Sequence, residues 1–527
     1  VSTDTTTDHV VLGAGPAGLQ ASHLLARAGR EHLVLEAGAA PGTFFTRYPR
    51  HRTLISINKV HTGWSDPELN LRTDWNSLLT DDPELLFTRY TPRYFPHADD
   101  MVRYLADFAA RNDLPVRYGT RVESISRDDR GFTLRDQHGT TYRAARVTVA
   151  TGVSKTYVPP IEGVELAEGY DEVPVDPAGF TGQRVLIIGR GNSAFETADN
   201  LIETAAVIHV AGPGSLKLAW QTHFVGHLRA VNNNFLDTYQ LKSQNALLDG
   251  QVLGIRRDGD GYAVRVSFAR VDEVVKEIHY DRVILATGFR FDASIFDETC
   301  RPRLTIKDRF PELTPQWESV DVPDLFFAGT ITQSLDFKKS TSGFIHGFRY
   351  GVRALHRIQE RRYHGVEWPV RSFAATPEAI TDAVIERVNR TSALWQLFGF
   401  LSDAVLIGPD GTARYAEEVP VAHLHEAVAR GDFGAVESHL AITLEYGADH
   451  DKVNPFDVEA GRVSQQDTRG LDGRYLHPVV RVFRGGELTA EHHLTENLEN
   501  EWDSEQVHRA PLRRFLAERV TRAVEAV

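Results

Sequence analysis

The stretch His9-Val-Val-Leu-Gly-Ala-Gly-Pro-Ala-Gly18 decides the fold: a short apolar run, a glycine turn, and then a helical pattern over residues 19–28. An apolar strand that passes through Gly13, Gly15 and Gly18 into a helix is the opening of a Rossmann unit. Its glycines allow a tight turn and let backbone N–H groups approach a pyrophosphate, whose charge then sits at the helix N-terminus. Leu33-Val-Leu35 is the next strand and ends in Glu36, 21 residues beyond Gly15. That spacing is close to the ~20 expected of a carboxylate that bonds a ribose 2′-hydroxyl, so the first site favours an unphosphorylated ribose, as in FAD or NAD.

The same grammar returns at Arg184-Val-Leu-Ile-Ile188, followed by Gly189-Arg-Gly-Asn-Ser-Ala194, a helix over 195–202 and a strand over 207–210. The two glycine turns begin 176 residues apart, too wide for one unit and suited to two domains. Ala194 stands where the third glycine would be. After the second strand comes Ala211-Gly-Pro-Gly-Ser-Leu-Lys217, with no acid to repel a 2′-phosphate and with Ser215 and Lys217 able to bind one. The second site therefore leans to NADPH.

Between the units lie short alternating strands (117–125, 132–136, 142–149) that end in Ala150-Thr-Gly152, and the second unit ends alike in Ala286-Thr-Gly288. Paired junctions of this kind predict chain crossovers, with the first domain interrupted by the second and completed by Leu325-Phe-Phe-Ala-Gly329 and a helix over 343–361. The expected fold class is α/β: two interleaved Rossmann-like dinucleotide-binding domains for FAD and NADPH plus a C-terminal α+β domain. Expected boundaries are 1–162 and 282–365 for the FAD domain, 163–281 for the NADPH domain and 366–527 for the last. In that last region Thr376-Pro377 starts a helix predicted to run to 400, and strands are predicted at 439–446, 479–483 and 488–494, the last two joined at Gly485-Gly486.

Composition sets outer limits. With 527 residues, 42% hydrophobic and 25% charged, a disordered or fibrous chain is excluded. A net charge of -14 and no Lys/Arg-rich block make nucleic acid an unexpected partner. No run approaches the ~18 apolar residues of a membrane span, and residues 1–9 lack the features of a secretory leader, so a soluble cytoplasmic protein is expected. Cys300 is the sole cysteine, which rules out an intramolecular disulfide, a Cys-x-x-Cys pair and a cysteine-built zinc site. His477, His492 and His493 do not suggest a metal, because adjacent strand residues point to opposite faces.

In a two-dinucleotide flavoprotein NADPH reduces the flavin, and three branches compete for the electrons. A disulfide reductase needs a cysteine pair, a monooxygenase needs a dry pocket, and an oxidase or electron carrier needs neither. Cofactor contacts are expected from Gly13, Gly15, Pro16, Ala17, Gly18 and Glu36, from Gly42, Thr43 and Arg47, and from Thr151 and Gly152. Further contacts are expected from Gly189, Gly191, Asn192, Ser193, Ala194, Ser215, Lys217 and Gly288, and from Gly329, Gly343 and Phe344. Arg47, Arg50 and Arg52 can neutralise a pyrophosphate, bind an anionic substrate or lie in a solvated loop. Asn58 and Lys59 end an apolar run and can face the flavin, Asn58 as a donor to a flavin-bound peroxide, or they can form a turn. His346 starts a helix whose positive end suits the flavin's pyrimidine edge, or it is a packing histidine. The segment from Trp220 to His227, with His223 at its centre and with Arg229 and Asn232 to Asn234 beyond, reaches across the cleft to nicotinamide or substrate, or packs as a loop.

The runs Phe44-Phe-Thr-Arg-Tyr-Pro-Arg-His-Arg52, Leu71-Arg-Thr-Asp-Trp-Asn-Ser-Leu-Leu79, Gly189-Arg-Gly-Asn-Ser-Ala-Phe-Glu-Thr-Ala198, Leu236-Asp-Thr-Tyr-Gln-Leu-Lys-Ser243 and Gly343-Phe-Ile-His-Gly-Phe-Arg-Tyr350 resemble the family of FAD-dependent oxidoreductase domain-containing proteins. The likeness continues through Tyr446-Gly447 and Leu476-His-Pro-Val479. The animal member is a flavoprotein of the endoplasmic reticulum; this chain, without a signal peptide or retention tail, looks like a cytoplasmic bacterial relative. More distantly the plan is similar to class B flavin monooxygenases, including amine N-hydroxylases. That resemblance implies a C4a-hydroperoxyflavin made with NADPH and molecular oxygen, and oxygen transfer to an amine or sulfide, with Asn58 matching the asparagine those enzymes place at the flavin. Their signature carries a histidine where this chain reads Glu168-Gly-Tyr-Asp-Glu-Val-Pro-Val-Asp176. The leading expectation is a single-component monooxygenase that N-hydroxylates a small metabolite. The alternatives are a flavin oxidase or dehydrogenase, and an accessory flavoprotein that acts through its last domain, a domain that caps the cleft or builds a homo-oligomer.

Overall fold

Val10, Val11 and Leu12 are buried, as a parallel strand covered on both faces requires. In the computed structural model, which describes residues 5–241, 245–269, 274–464 and 466–520, the strand Thr5–Leu12 lies parallel to both His32–Leu35 and Thr141–Val149. Lys242 and Ser243, the end of one family-like run, and residues 1–4 of the N-terminal stretch lie outside the described residues. The chain leaves the first strand through Gly13 and enters the helix Pro16–Arg27, which has proline in its first turn, where no N–H is needed. Leu325–Phe327 returns to pair in parallel with Thr141–Val149, which joins the chain beyond the second unit to the first sheet. The expected strand over 117–125 divides into Val116–Arg117 and Val122–Asp128; Gly119, at φ 63°, turns the chain between them.

The second sheet is built on Arg184–Ile188, flanked in parallel by Val207–Gly212 and Arg282–Leu285. The apolar run Val283-Ile-Leu285 gains burial beside Arg184–Ile188, so the boundary expected before residue 282 falls after Leu285. Antiparallel strands Asn245–Asp258, Gly261–Phe268 and Val275–Tyr280 extend this sheet.

The last region forms a six-stranded sheet in the order Val370–Ala374, Thr412–Pro420, Leu401–Ile407, Ser438–Glu445, His477–Arg484 and Glu487–His493. Thr376 caps the helix Pro377–Arg390, its hydroxyl accepting from the Ala379 N–H at 3.2 Å. That helix stops short of the expected 400, because Ala393–Gln396 is a separate turn and residues 401–407 are a strand. One hydrophobic core runs from Phe326 and Phe327 of the first sheet through Leu355 and Ile358 of the helix Ile345–His364 to Ile380 and Leu406 of the last region. Beside it, buried Glu418 accepts from Arg353 at 2.8 Å and lies 3.3 Å from both Arg357 and Arg387, and Arg387 also donates to Asp403 at 2.9 Å. Among the described residues no helix is long and apolar enough to cross a membrane.

Candidate functional site

The three glycines of the first turn have different surroundings. Gly13, at φ 101°, lies so close to the crossing chain that a Cβ would come 2.8 Å from the Ala150 carbonyl oxygen, and at Gly18 a Cβ would come 1.9 Å from that of Gly13. At Gly15 a Cβ would meet nothing within 4 Å. Two glycines thus pack the turn and the third presents open backbone at the N-terminus of the Pro16–Arg27 helix, where a pyrophosphate is stabilised. Glu36 is buried at the end of its strand and accepts from the N–H of Ala14 and of Gly38, each at 2.7 Å, and from the Thr43 hydroxyl at 3.2 Å. The Gly42 N–H donates to the Ala14 carbonyl at 3.0 Å, and at Gly329, at φ 83°, a Cβ would come 2.7 Å from that of Ala17. Gly152 follows the first crossover at φ 66°, next to Thr151. These residues fit an FAD: a glycine backbone with open space beside it for the pyrophosphate and a carboxylate for the ribose. Arg47 is exposed, over the Tyr48 ring at 5.7 Å, whereas Arg50 donates to the Val173 carbonyl at 2.8 Å and Arg52 to Asp99 at 2.5 Å. The last two hold structure.

The second turn repeats the pattern. A Cβ on Gly189, at φ 134°, would come 2.1 Å from the Ala286 carbonyl oxygen, while one on Gly191 would meet nothing within 4 Å. Ala194, fully buried, packs where a third glycine would stand, and Ser193 shares a crevice with Tyr170 and Gly288. Ser215 and Lys217 are exposed beyond the strand Val207–Gly212. Arg190, inside the glycine turn, reaches this point too: it donates to the Gly214 carbonyl at 2.6 Å and pairs with Asp249 at 2.7 Å, while its buried Nε and second Nη have no partner. The expectation that no acid lies here is corrected, since Asp249 arrives from the neighbouring strand Asn245–Asp258. Arg190 was visible in the motif, but not its direction.

A third group of residues gathers between the two turns. The Trp75 N–H donates to the Ile57 carbonyl at 3.1 Å, which sets Trp75 beside Asn58, and the Trp75 ring stacks on His346 at 4.3 Å. His346 stacks in turn on Phe344 at 5.8 Å, and Phe344 meets Phe224 at 5.7 Å. Phe224 and Arg229 belong to a segment tied to the second turn: Asn192 donates to the carbonyls of Gly226 and His227, at 3.3 and 2.9 Å, and accepts from the Arg229 N–H at 3.0 Å. The second domain therefore roofs a face supplied by the first. His346 is fully buried with both ring nitrogens unpartnered; burial, then Arg349 and Arg229, push its pKa far below the usual imidazole range, so it is neutral with one donor and one acceptor nitrogen.

Several expected residues play other parts. Asn58 is buried, but its NH₂ already donates to the carbonyls of Thr91, at 2.8 Å, and Arg93, at 3.3 Å. What remains is Oδ1, buried and unpartnered, so Asn58 offers an acceptor where a donor was expected. Lys59 is exposed and joins the group only through its N–H, which donates to Thr73 at 3.2 Å. His223, at φ 60°, turns away to stack on Tyr446 at 4.2 Å with the His450 ring tilted against it at 5.1 Å, its pKa lowered to about 4 by burial. Gly343 precedes Phe344, against Gln333.

The stretch without a histidine supplies a junction the sequence did not announce. The Tyr170 hydroxyl donates to Glu196 and accepts from the Arg50 N–H at 3.1 Å, and its ring stacks on Tyr48 at 5.9 Å. Burial raises Glu196 to about 7, against the lowering effect of Tyr170 and Arg50. Cys300 is buried, its thiol donating to the Ile125 carbonyl at 3.2 Å, and desolvation lifts its pKa to about 11. His477 bonds His493 at 2.9 Å, whereas His492 stacks on Phe515 at 5.1 Å.

Residues 10–329 match the family model described as pyridine nucleotide-disulphide oxidoreductase. Among solved structures, the fold is similar to a flavin-containing monooxygenase from Stenotrophomonas maltophilia (21% identity, TM-score 0.53, 67% of this chain and 98% of that one). It is also similar to an ornithine N-hydroxylase from Kutzneria sp. 744 (16% identity, TM-score 0.51, 68% of this chain and 99% of that one). At such identities the likeness concerns the fold. The FAD-dependent oxidoreductase domain-containing protein 2 of Mus musculus is 40% identical over 97% of this chain and 83% of its own length. With its two glycine turns, buried Glu36 and interleaved sheets, the chain belongs to the family of FAD-dependent oxidoreductase domain-containing proteins, flavoproteins of the pyridine nucleotide-disulphide oxidoreductase group.

Proposed function

We propose that this flavoprotein is an NADPH-using monooxygenase that takes a small metabolite and molecular oxygen as substrates, with an amine nitrogen as the favoured site of oxygenation. The observation that carries the proposal is the aromatic face in which buried Asn58 and His346 meet half-buried Trp75 and Phe344, with Phe224 and Arg229 from the segment beyond the second glycine turn packed on it. Electrons leaving a flavin in a wet site are lost to peroxide, and an aromatic enclosure of this kind excludes water. Disulfide chemistry has no support, because the single cysteine is buried and not acidified.

When bound, FAD supplies hydride acceptance from NADPH and electron delivery to oxygen. The Gly15 backbone and Glu36 hold the first dinucleotide, and the Gly191 backbone, Arg190, Ser215 and Lys217 hold the second. Neutral His346 carries one ring N–H that would donate a hydrogen bond to a developing anion without losing its proton, and Asn58 Oδ1 would accept from an N–H of substrate or cofactor. The preference for nitrogen rests on the ornithine N-hydroxylase among similar folds. An oxidase is the second reading, favoured by the occupied amide of Asn58 and the absent histidine between Glu168 and Asp176.

The test is NADPH consumption by FAD-loaded protein against a panel of amine metabolites, with peroxide measured in parallel. Peroxide below NADPH consumed, with an oxygenated product, supports the proposal; one peroxide per NADPH for every amine favours the oxidase, and no reduction favours an accessory flavoprotein. In the same assay Arg190→Ala and Lys217→Ala are expected to raise the NADPH KM about tenfold or more each and leave the NADH KM within twofold. Equal effects on both would contradict a bound 2′-phosphate.

A further inference from the structure

Arg229 reaches the aromatic face from the second domain, with its guanidinium carbon 4.9 Å from the centre of the Trp75 ring. Among the described residues the buried arginines have acceptors. Arg349 donates to the carbonyls of Leu71, Asp74 and Ser77, Arg72 to those of Val388 and Thr391, and Arg387 to carboxylates. Among the described residues the Arg229 side chain has neither an acid nor a carbonyl acceptor, and its Nε is buried and unpartnered. Arg229 is half-buried with its Nε shut away from water, and a planar guanidinium with N–H groups left to donate matches a carboxylate in bidentate fashion. Next to it stands the second unpartnered group, fully buried His346, stacked on the same Trp75. The anchor is itself anchored, since Asn192 in the second glycine turn fixes the Arg229 backbone.

We propose that Arg229 binds an anionic group of the substrate, so that the molecule oxygenated at this face is a small carboxylic acid. The inference deepens the proposed function and rests on its assignment of the Asn58–His346 face as the reacting one. A carboxylate held by Arg229 would fix one end of the substrate over Trp75 and leave the other for the chemistry. The same cation could instead meet a phosphate of NADPH, and the experiment separates the two anions.

FAD-loaded protein is titrated with phenylacetate and with its neutral counterpart phenylacetamide, followed by the flavin absorbance, and the NADPH concentration dependence of anaerobic flavin reduction is measured alongside. The expected result is that the acid binds at least about 30-fold more tightly than the amide. Arg229→Gln abolishes the difference at unchanged FAD content, Arg229→Lys retains part of it, and neither changes the NADPH dependence. Equal or absent binding of acid and amide to the native protein overturns the proposal, as does a preference that survives Arg229→Gln. A weakened NADPH dependence in Arg229→Gln with acid binding intact also overturns it and gives the cation to the cofactor. If acid binding depends on Arg229 while all NADPH ends in peroxide, the anion site stands and the monooxygenase reading falls, so the two failures are distinct.

Discussion

A single added methyl group separates the roles of the glycines in the first turn. At Gly15 it would meet no protein atom within 4 Å, so Gly15→Ala should fold with near-native stability and lose FAD, because the methyl stands where backbone must approach a pyrophosphate. At Gly18 the same methyl would come 1.9 Å from the Gly13 carbonyl oxygen, so Gly18→Ala should cost about 1–3 kcal/mol in the turn itself. Melting curves and flavin absorbance read both outcomes; a yellow Gly15→Ala protein would contradict the assigned cradle. These residues were legible in the sequence because backbone requirements are local. Trp75 and Arg229 were not legible as a pair: 154 positions separate them, and only the packing of one domain on the other brings the guanidinium over the ring. Asn58 was expected as a donor, and what its position could not show is that carbonyls 33 and 35 positions on, those of Thr91 and Arg93, already occupy its NH₂.

The helix Ile345–His364 connects the aromatic face around His346 to the last region. Its first residues carry His346 and its middle carries Arg353 and Arg357, which face Glu418 of the strand Thr412–Pro420. Glu418 is nearly inaccessible and sits among three arginines, Arg353, Arg357 and Arg387, which together pull its pKa down to about 2 against the cost of burial. Glu418→Gln leaves those cations without their shared partner and is expected to lower stability by about 3–5 kcal/mol, read from denaturant unfolding near pH 7. The folded pKa lies below the ordinary value of about 4.3, so the charged pair stabilises fully above that value, and the contribution is lost as pH falls toward about 2. Glu418→Gln should show a shallower slope than the native protein between about pH 4 and 2, and identical profiles would mean the cluster adds nothing. The helix was expected over 343–361, whereas Leu401–Ile407 lies just past the helix expected to run to 400 and had no element assigned to it. Its run of buried residues has no alternation, and a short apolar run of that kind suits helix or strand until its sheet partners are known.

Across the whole molecule, interleaving was legible from the paired Ala-Thr-Gly junctions, and the return of Leu325–Phe327 to the first sheet follows from it. The place of the last region was not, because its strands carry no motif. The structure joins it to the FAD-binding part through a continuous core, in which Leu355 and Ile358 share a cluster with Ile380 and Leu406. A chain ended after residue 365 would expose that core and leave Arg353 and Arg357 without Glu418, and it should aggregate without retaining flavin. A soluble yellow fragment would show that the last region is a separable module, as an accessory flavoprotein would use it. Whether the aromatic face around His346 keeps electrons from escaping to peroxide is decided by reducing the FAD-loaded protein with NADPH without air and then mixing it rapidly with oxygen. Oxygen uptake, flavin absorbance and peroxide are followed together. Oxygen is expected to be consumed well before the oxidised flavin absorbance returns and before peroxide appears; oxidised flavin and peroxide rising together with oxygen uptake would show that the face does not retain the electrons.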